Sequence, residues 1–173
     1  MAATPRQRAL ACIGLGSNLD DPAAQIRRAL AHLAELPDSD LFLVSSLYRS
    51  APLGPVAQPD FVNAVAAMTT RLTPRALLAH LKAAEQGLGR QPAERWGPRV
   101  IDLDLLVHGD AVVDEPDLVV PHPGIAGRNF VLLPLAEIAP DLVIPGLGPV
   151  ADIPVSADEP RIERIDERTA ASE

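Results

Sequence analysis

Five consecutive residues limit what this chain can become more than any others. Ile101-Asp102-Leu103-Asp104-Leu105 alternates apolar and acidic side chains, just after Arg95-Trp96-Gly97-Pro98-Arg99 puts a Gly-Pro turn between two arginines. A period of two marks a half-buried strand, with Ile101, Leu103 and Leu105 turned into a core and Asp102 and Asp104 sharing the opposite face. Asp is a poor strand former, and adjacent carboxylates repel each other, so their face is either open to water or built around a cation. A solvated face is the commoner explanation of such a pair taken alone. The setting favours the cation: Arg95, Trp96 and Arg99 converge on the same end of the strand, and paired hard oxygen ligands suit Mg²⁺ beside phosphate oxygens.

Around this segment the chain reads as one α+β domain. Its 173 residues, 47% of them hydrophobic, suffice for one well-cored unit and are few for two. An apolar strand from Ala9 to Leu15 ends in Gly14-Leu15-Gly16-Ser17-Asn18, where small residues let the backbone turn and approach a ligand. Asp20 or Asp21 caps a helix with Ile26, Ala29, Leu30 and Leu33 at helical spacing. Leu41 to Tyr48 reads as a second strand, followed by a proline-rich loop from Ser50 to Asp60 and a third strand from Phe61 to Met68, with Phe61 and Asn63 on one face at its mouth. Thr73-Pro74 opens a second helix carrying Leu77, Leu78 and Leu81 inward. The strand with the two aspartates completes βαββαβ, a ferredoxin-like arrangement of antiparallel sheet backed by helices, within a single domain whose core is about residues 9–145. Beyond Gly109, Val131 to Ile138 predicts a short helix interrupted at Pro134, and Leu142-Val143-Ile144 a small strand. From Ala157 onward the charged chain lacks an apolar stripe and is expected as a poorly ordered tail or a solvent-exposed helix.

Charge and motifs exclude several classes. A formal charge of −8 with no basic stripe argues against a nucleic-acid surface. No segment is long enough to span a membrane, and the short N-terminal apolar run leads into no cleavage site. Cys12 is alone and lies in an apolar run, which predicts a buried thiol and suits a reducing cytoplasm. There is no Gly-Lys-Ser/Thr phosphate loop, so a nucleotide here has to be held by side chains.

The segment ERWGPRVIDLDLLVHG resembles the signature of the 6-hydroxymethyl-7,8-dihydropterin pyrophosphokinases, folate-pathway enzymes that move a pyrophosphoryl group from ATP to a pterin alcohol. The resemblance recurs at GLGSNL, SSLYRSAPLG, QPDFVNAV, VPHPGIAGRNFVLLPL and EIAPDLVIP, so it extends from about Ala9 to Pro145. It implies that Asp102 and Asp104 bridge two Mg²⁺ ions on the ATP phosphates, the second ion also activating the pterin hydroxyl. It also implies that Arg90 and Arg99 contact phosphates or gate a catalytic loop, and that His122 and Arg128 complete the nucleotide site with Lys82, Glu85 and Leu105. Trp96 is similar to a residue on a mobile loop that closes over both substrates. Phe61 and Phe130 match the positions that sandwich the pterin, Asn63 the amide that reads its edge, and backbone groups near Ser50, Ala51 and Leu53 the remaining contacts, a division that suits a flat heterocycle. With aromatics at only 3%, each ring is conspicuous.

Each residue also has a plainer explanation. A lone phenylalanine is usually core, a lone histidine structural, and Arg90 can pair with Glu94 on the surface. Phe61 stands where relatives often carry tyrosine, Asp117 where some carry arginine and Val119 where some carry threonine. The loop from Arg90 to Glu94 is one residue shorter than in some relatives, which is expected to alter closure without abolishing it. Transfer to another heterocyclic alcohol, or a non-catalytic ligand-binding module, remain the alternatives to a pyrophosphokinase acting as a monomer.

Overall fold

The computed structural model describes residues 7–90 and 97–165. Strand β1 (Ala9–Ser17) sets the architecture, because its alternating side chains enter two different cores. Ala11, Ile13 and Leu15 pack on one side of the sheet, and Cys12 packs on the other. Helix α1 (Pro22–Ala34) follows, its first turn capped by the Asp21 carboxylate, which accepts from the Ala24 amide at 3.4 Å. Ile26, Ala29 and Leu33 recur on one of its faces and are fully buried.

The single second strand expected over Leu41 to Tyr48 is two strands, β2 (Ser39–Val44) and β3 (Tyr48–Ser50). Both pair with β4 (Phe61–Thr70) at different points along its length. The break falls at Ser45. Its amide donates to Val65 O at 2.9 Å, while the Val65 amide donates to Ser45 Oγ at 2.9 Å, so a side-chain hydroxyl replaces the carbonyl that would continue the ladder. Helix α2 (Pro74–Gly87) begins at Thr73, whose hydroxyl accepts from the Ala76 amide. It leads to β5 (Asp102–His108), which pairs with β1.

Neighbouring strands are antiparallel throughout. Counting β2 and β3 as one position, the core order is β5-β1-β4-β2/β3, the ferredoxin-like arrangement of a split βαβ unit. Helices α1 and α2 cover the face presenting Ile13, Ala66, Met68, Leu103 and Leu105. A hairpin of β6 (Val113–Glu115) and β7 (Leu118–Val120) then leads to α3 (Asn129–Ile138). This third helix covers only part of the opposite face, over Cys12, Val65, Ala67 and Leu106.

Pro134 lies inside α3 and does not interrupt it. Leu132 and Leu135 on either side are buried, so the packing of both turns outweighs one missing amide donor. A small ribbon of β8 (Val143–Ile144) and β9 (Gly148–Pro149) follows. The tail also departs from expectation: β10 (Ile162–Arg164) adds to the edge of β3 as an antiparallel strand. Strand addition needs backbone groups rather than an apolar stripe, which is why composition did not reveal it. Cys12 is fully buried, and burial pushes its thiol up to about 12, so it stays protonated.

Candidate active site

Where α3 stops, the second face of the sheet is open, and a cavity of about 580 Å³ occupies the gap and passes over the edge of β5. Its centre is the acid pair. Leu103 and Leu105 are 3% exposed and packed toward α2, so Asp102 and Asp104 point to the cavity, as the alternation predicts. Leu105 reaches the cavity only as part of this buried wall. Burial, then the neighbouring Asp102 charge, push the Asp104 carboxyl up to about 7, with Arg128 and Arg90 opposing. Two like charges crowded into a protein cavity form a site short of positive charge.

Cations stand close by. The Asp102 carboxylate lies 3.3 Å from Arg90 Nη1 and 3.7 Å from Arg99 Nη1. Arg90 also pairs with Glu85 of α2, which is 3% exposed and whose carboxyl is raised by burial despite the arginine. Glu85 thus serves as the anchor that aims Arg90 at the cavity, while Lys82 stands exposed at the rim. Arg90 is therefore not a free surface arginine; Glu94 and Trp96, and most of the loop expected to be shortened, lie outside the described residues.

Arg99 is held through its backbone by Asn18, a residue that sequence reasoning placed only in a turn. Asn18 Oδ1 accepts from the Arg99 amide at 2.8 Å and the Asn18 amide donates to Arg99 O at 3.0 Å. Its side-chain amide donates to Gln58 Oε1 and Pro59 O, so one buried side chain ties the end of β1, the proline-rich loop and the arginine segment together. The available signal was an asparagine following Gly16-Ser17 with the helix cap already supplied by Asp21.

His122 lies 3.9 Å from Asp104. Its Nδ1 accepts from the Gly124 amide at 2.9 Å, which assigns the ring proton to Nε2, on the side facing Asp104. Burial and then the Arg128 charge lower its pKa, so at neutral pH it is an uncharged donor. Gly124 admits this arrangement because a Cβ there would stand 2.7 Å from the Arg128 guanidinium. Arg128 in turn lies 5.9 Å from the Phe130 ring centroid, a cation–π contact.

The far end of the cavity changes character. Phe61 and Phe130 line it with Leu53, Ser50 and Ala51. Asn63 is 5% exposed and donates to Ser50 Oγ at 2.8 Å, which fixes the amide with its oxygen over Gly16. A Cβ on residue 16 would lie 3.1 Å from that oxygen, so the glycine makes room for it. Opposite, across β5, the β6–β7 hairpin supplies Asp117 and Val119 to the rim, and Arg75 grips both Asp117 oxygens at 3.0 Å. Every described residue proposed from the sequence therefore lines one cavity, in which Arg90 and Arg99 stand by the acids, Phe61, Phe130 and Asn63 line a ring-bearing part, and Arg128 sits beside Phe130.

The model of the family described as 7,8-dihydro-6-hydroxymethylpterin-pyrophosphokinase (HPPK) matches residues 12–140. The chain belongs to this family. It is similar to the 2-amino-4-hydroxy-6-hydroxymethyldihydropteridine pyrophosphokinase of Pseudomonas aeruginosa, 51% identical over 133 residues that cover 77% of this chain and 82% of the other. The enzyme of the same name from Methylorubrum extorquens is 46% identical over 156 residues, covering 90% of this chain and 98% of the other. Among solved structures, wild-type Plasmodium falciparum HPPK-DHPS with pterin and p-hydroxybenzoate superposes with a TM-score of 0.68 at 15% identity. That match covers 88% of this chain and 42% of the Plasmodium chain, and establishes likeness of fold. Among the described residues, no helix is long and apolar enough to cross a membrane.

Proposed function

We propose that this chain, acting as a single-domain monomer in the cytoplasm, transfers the pyrophosphoryl group of ATP to the hydroxyl of 6-hydroxymethyl-7,8-dihydropterin in folate biosynthesis. The products are AMP and the pterin diphosphate. The hydroxyl oxygen bonds the β-phosphorus as its bond to the α–β bridging oxygen breaks; AMP leaves with that oxygen and the hydroxyl proton is released. One observation carries the reading: the acid pair stands at the centre of a cavity whose two ends suit a triphosphate and a flat heterocycle.

The donor set fits Mg²⁺, since two hard carboxylates, crowded enough to hold a proton at Asp104, suit a hard cation that shares its shell with phosphates and water. Two ions held by Asp102 and Asp104, as the family resemblance implies, supply charge neutralisation along the triphosphate when bound. Arg90, aimed by Glu85, and Arg99, fixed by Asn18, add forked donors for phosphate oxygens. His122 donates from Nε2 without adding charge, and Arg128 adds a further cation. Phe61 and Phe130 clamp the ring while Asn63, locked by Ser50, reads its edge, so the hydroxymethyl arm points toward the acids.

The test is product analysis with ATP, Mg²⁺ and the pterin. AMP with the pterin diphosphate is expected; ADP, or no pterin-dependent turnover, contradicts the reading. Replacing the pterin with other heterocyclic alcohols defines the acceptor.

A further inference from the structure

The family match ends at residue 140, yet residues 156–165 make a set of contacts aimed at one end of the cavity. Arg161 holds both ends of the proline-rich loop: its carbonyl accepts from the Ala51 amide at 2.9 Å, and its guanidinium lies 3.0 Å from Asp60. Ala51 lines the cavity, and Asp60 directly precedes Phe61. Strand β10 then pairs Ile162 with Ser50, Glu163 with Arg49 and Arg164 with Tyr48. Ser50 is the residue whose hydroxyl fixes Asn63.

The same segment grips the other wall. Asn129, 2% exposed, stands between Arg128 and Phe130 and donates its side-chain amide to Ser156 O at 3.1 Å and Pro160 O at 2.8 Å. Burying a side-chain NH2 at the first turn of a helix is costly unless its partners are fixed, and both of its acceptors are carbonyls of this one segment, whereas the buried Oδ1 has no partner among the described residues. Among the described residues, none of the hydrogen bonds made by residues 156–165 reaches Lys82, Glu85, Arg90, Asp102, Asp104 or His122.

We propose that residues 156–165 form a brace that fixes the spacing of the two ring-bearing walls of the cavity, with Asn129 and Arg161 as its positioning residues. It rests on the assignment of that end to the pterin. Asn129 sets Phe130, and Arg161 with β10 sets Ser50, Ala51 and Phe61, so the brace acts mainly on occupancy by the flat substrate and adjoins the nucleotide end only at Arg128. The geometry of a stacking slot tolerates little error, and small displacements far from the reacting atoms carry large costs.

Steady-state kinetics on Asn129→Ala, Arg161→Ala and Glu163→Pro, each in the full chain, test this. Glu163 sits on the hydrogen-bonded edge between the Ala51–Arg161 and Ile165–Leu47 bonds, so proline there removes a ladder donor. The KM for the pterin is expected to rise roughly tenfold in each variant, with the KM for ATP changed less than twofold. Unchanged constants, or a parallel rise for both substrates, overturn the brace. Should Asn129→Ala or Glu163→Pro fail to fold, Arg161→Ala decides, since its side chain is 62% exposed. Hydrogen exchange on the ligand-free protein separates the two proposals. Faster exchange at Ala51 and in the first turn of α3 in Asn129→Ala supports the brace even if the wild type makes no AMP, and unaltered exchange counts against it.

Discussion

The two faces of the sheet are made by alternate residues of the same strands and end in opposite conditions. On the α1/α2 face, Ile13, Ala66, Met68, Leu103 and Leu105 meet Ile26, Leu33, Leu77 and Leu81 in an apolar layer. On the other face, α3 covers Cys12, Val65 and Leu106 and then ends, exposing Gly14, Gly16, Asn63, Asp102 and Asp104 to the cavity. One face stabilises the fold, and the other holds the acids, arginines and rings of the proposed site. Glycine at 14 and 16 and aspartate at 102 and 104 bring no apolar side chain to a core, so the open half offers polar groups and space where the closed half offers packing.

The largest expected effect comes from the open face. Asp102→Ala should lower kcat for AMP formation by roughly a thousandfold while leaving the folded structure intact by circular dichroism. Comparable activity in the variant would return the pair to a solvated strand face. Next is the closed face: Leu33→Ala, at a fully buried site away from the cavity, should cost about 2–5 kcal/mol in denaturant unfolding with kcat unchanged. Loss of turnover without loss of stability there would erase the division between the faces.

A third prediction concerns the cost of the acids themselves. The Asp104 carboxyl is raised from 3.8 to about 7, so in the ligand-free protein its ionisation opposes folding. That cost is absent below about 3.8, grows as pH rises toward 7 and is complete above it. Asp104→Asn should therefore melt higher than the wild type at pH 8 without metal or nucleotide, with the gap closing toward pH 4, even though it loses activity. A lower melting temperature at pH 8 would show that the charge is already compensated.

The smallest effect lies outside both faces. Glu137 of α3 accepts from Tyr48 Oη at 2.7 Å and from the Ser46 amide at 2.6 Å, and these bonds hold its carboxyl below the usual range against the opposing effect of burial. A depressed carboxyl stabilises above its unfolded pKa and loses that contribution as pH falls through the folded value. Glu137 is exposed and solvent screens the interaction, so Glu137→Gln should lower the melting temperature only slightly at pH 7 and not at all in strong acid, with little change in turnover.

Much of this was legible in the residues because it follows from short-range periodicity. The alternation at 101–105 placed both carboxylates, and the helical spacing of Ile26, Ala29 and Leu33 placed α1. The motifs placed the rings and arginines, and the structure brings them to one cavity. Contacts between residues distant in sequence and without a pattern were not legible. Asn18 reaches Arg99 across 81 positions and Arg161 reaches Asp60 across 101, and nothing local to either residue names its partner. The Ser45 break needed knowledge that its hydroxyl would meet the Val65 amide, and β10 is recruited by the free edge of β3, which no property of its own three residues announces.

The most direct test is crystallographic: Mn²⁺ soaked with a non-hydrolysable ATP analogue, located by anomalous scattering. The account predicts metal peaks within coordination distance of the Asp102 and Asp104 oxygens, with the phosphate chain running toward Arg90, Arg99 and His122. Metal and nucleotide bound elsewhere, with those carboxylates free of any cation, would contradict it.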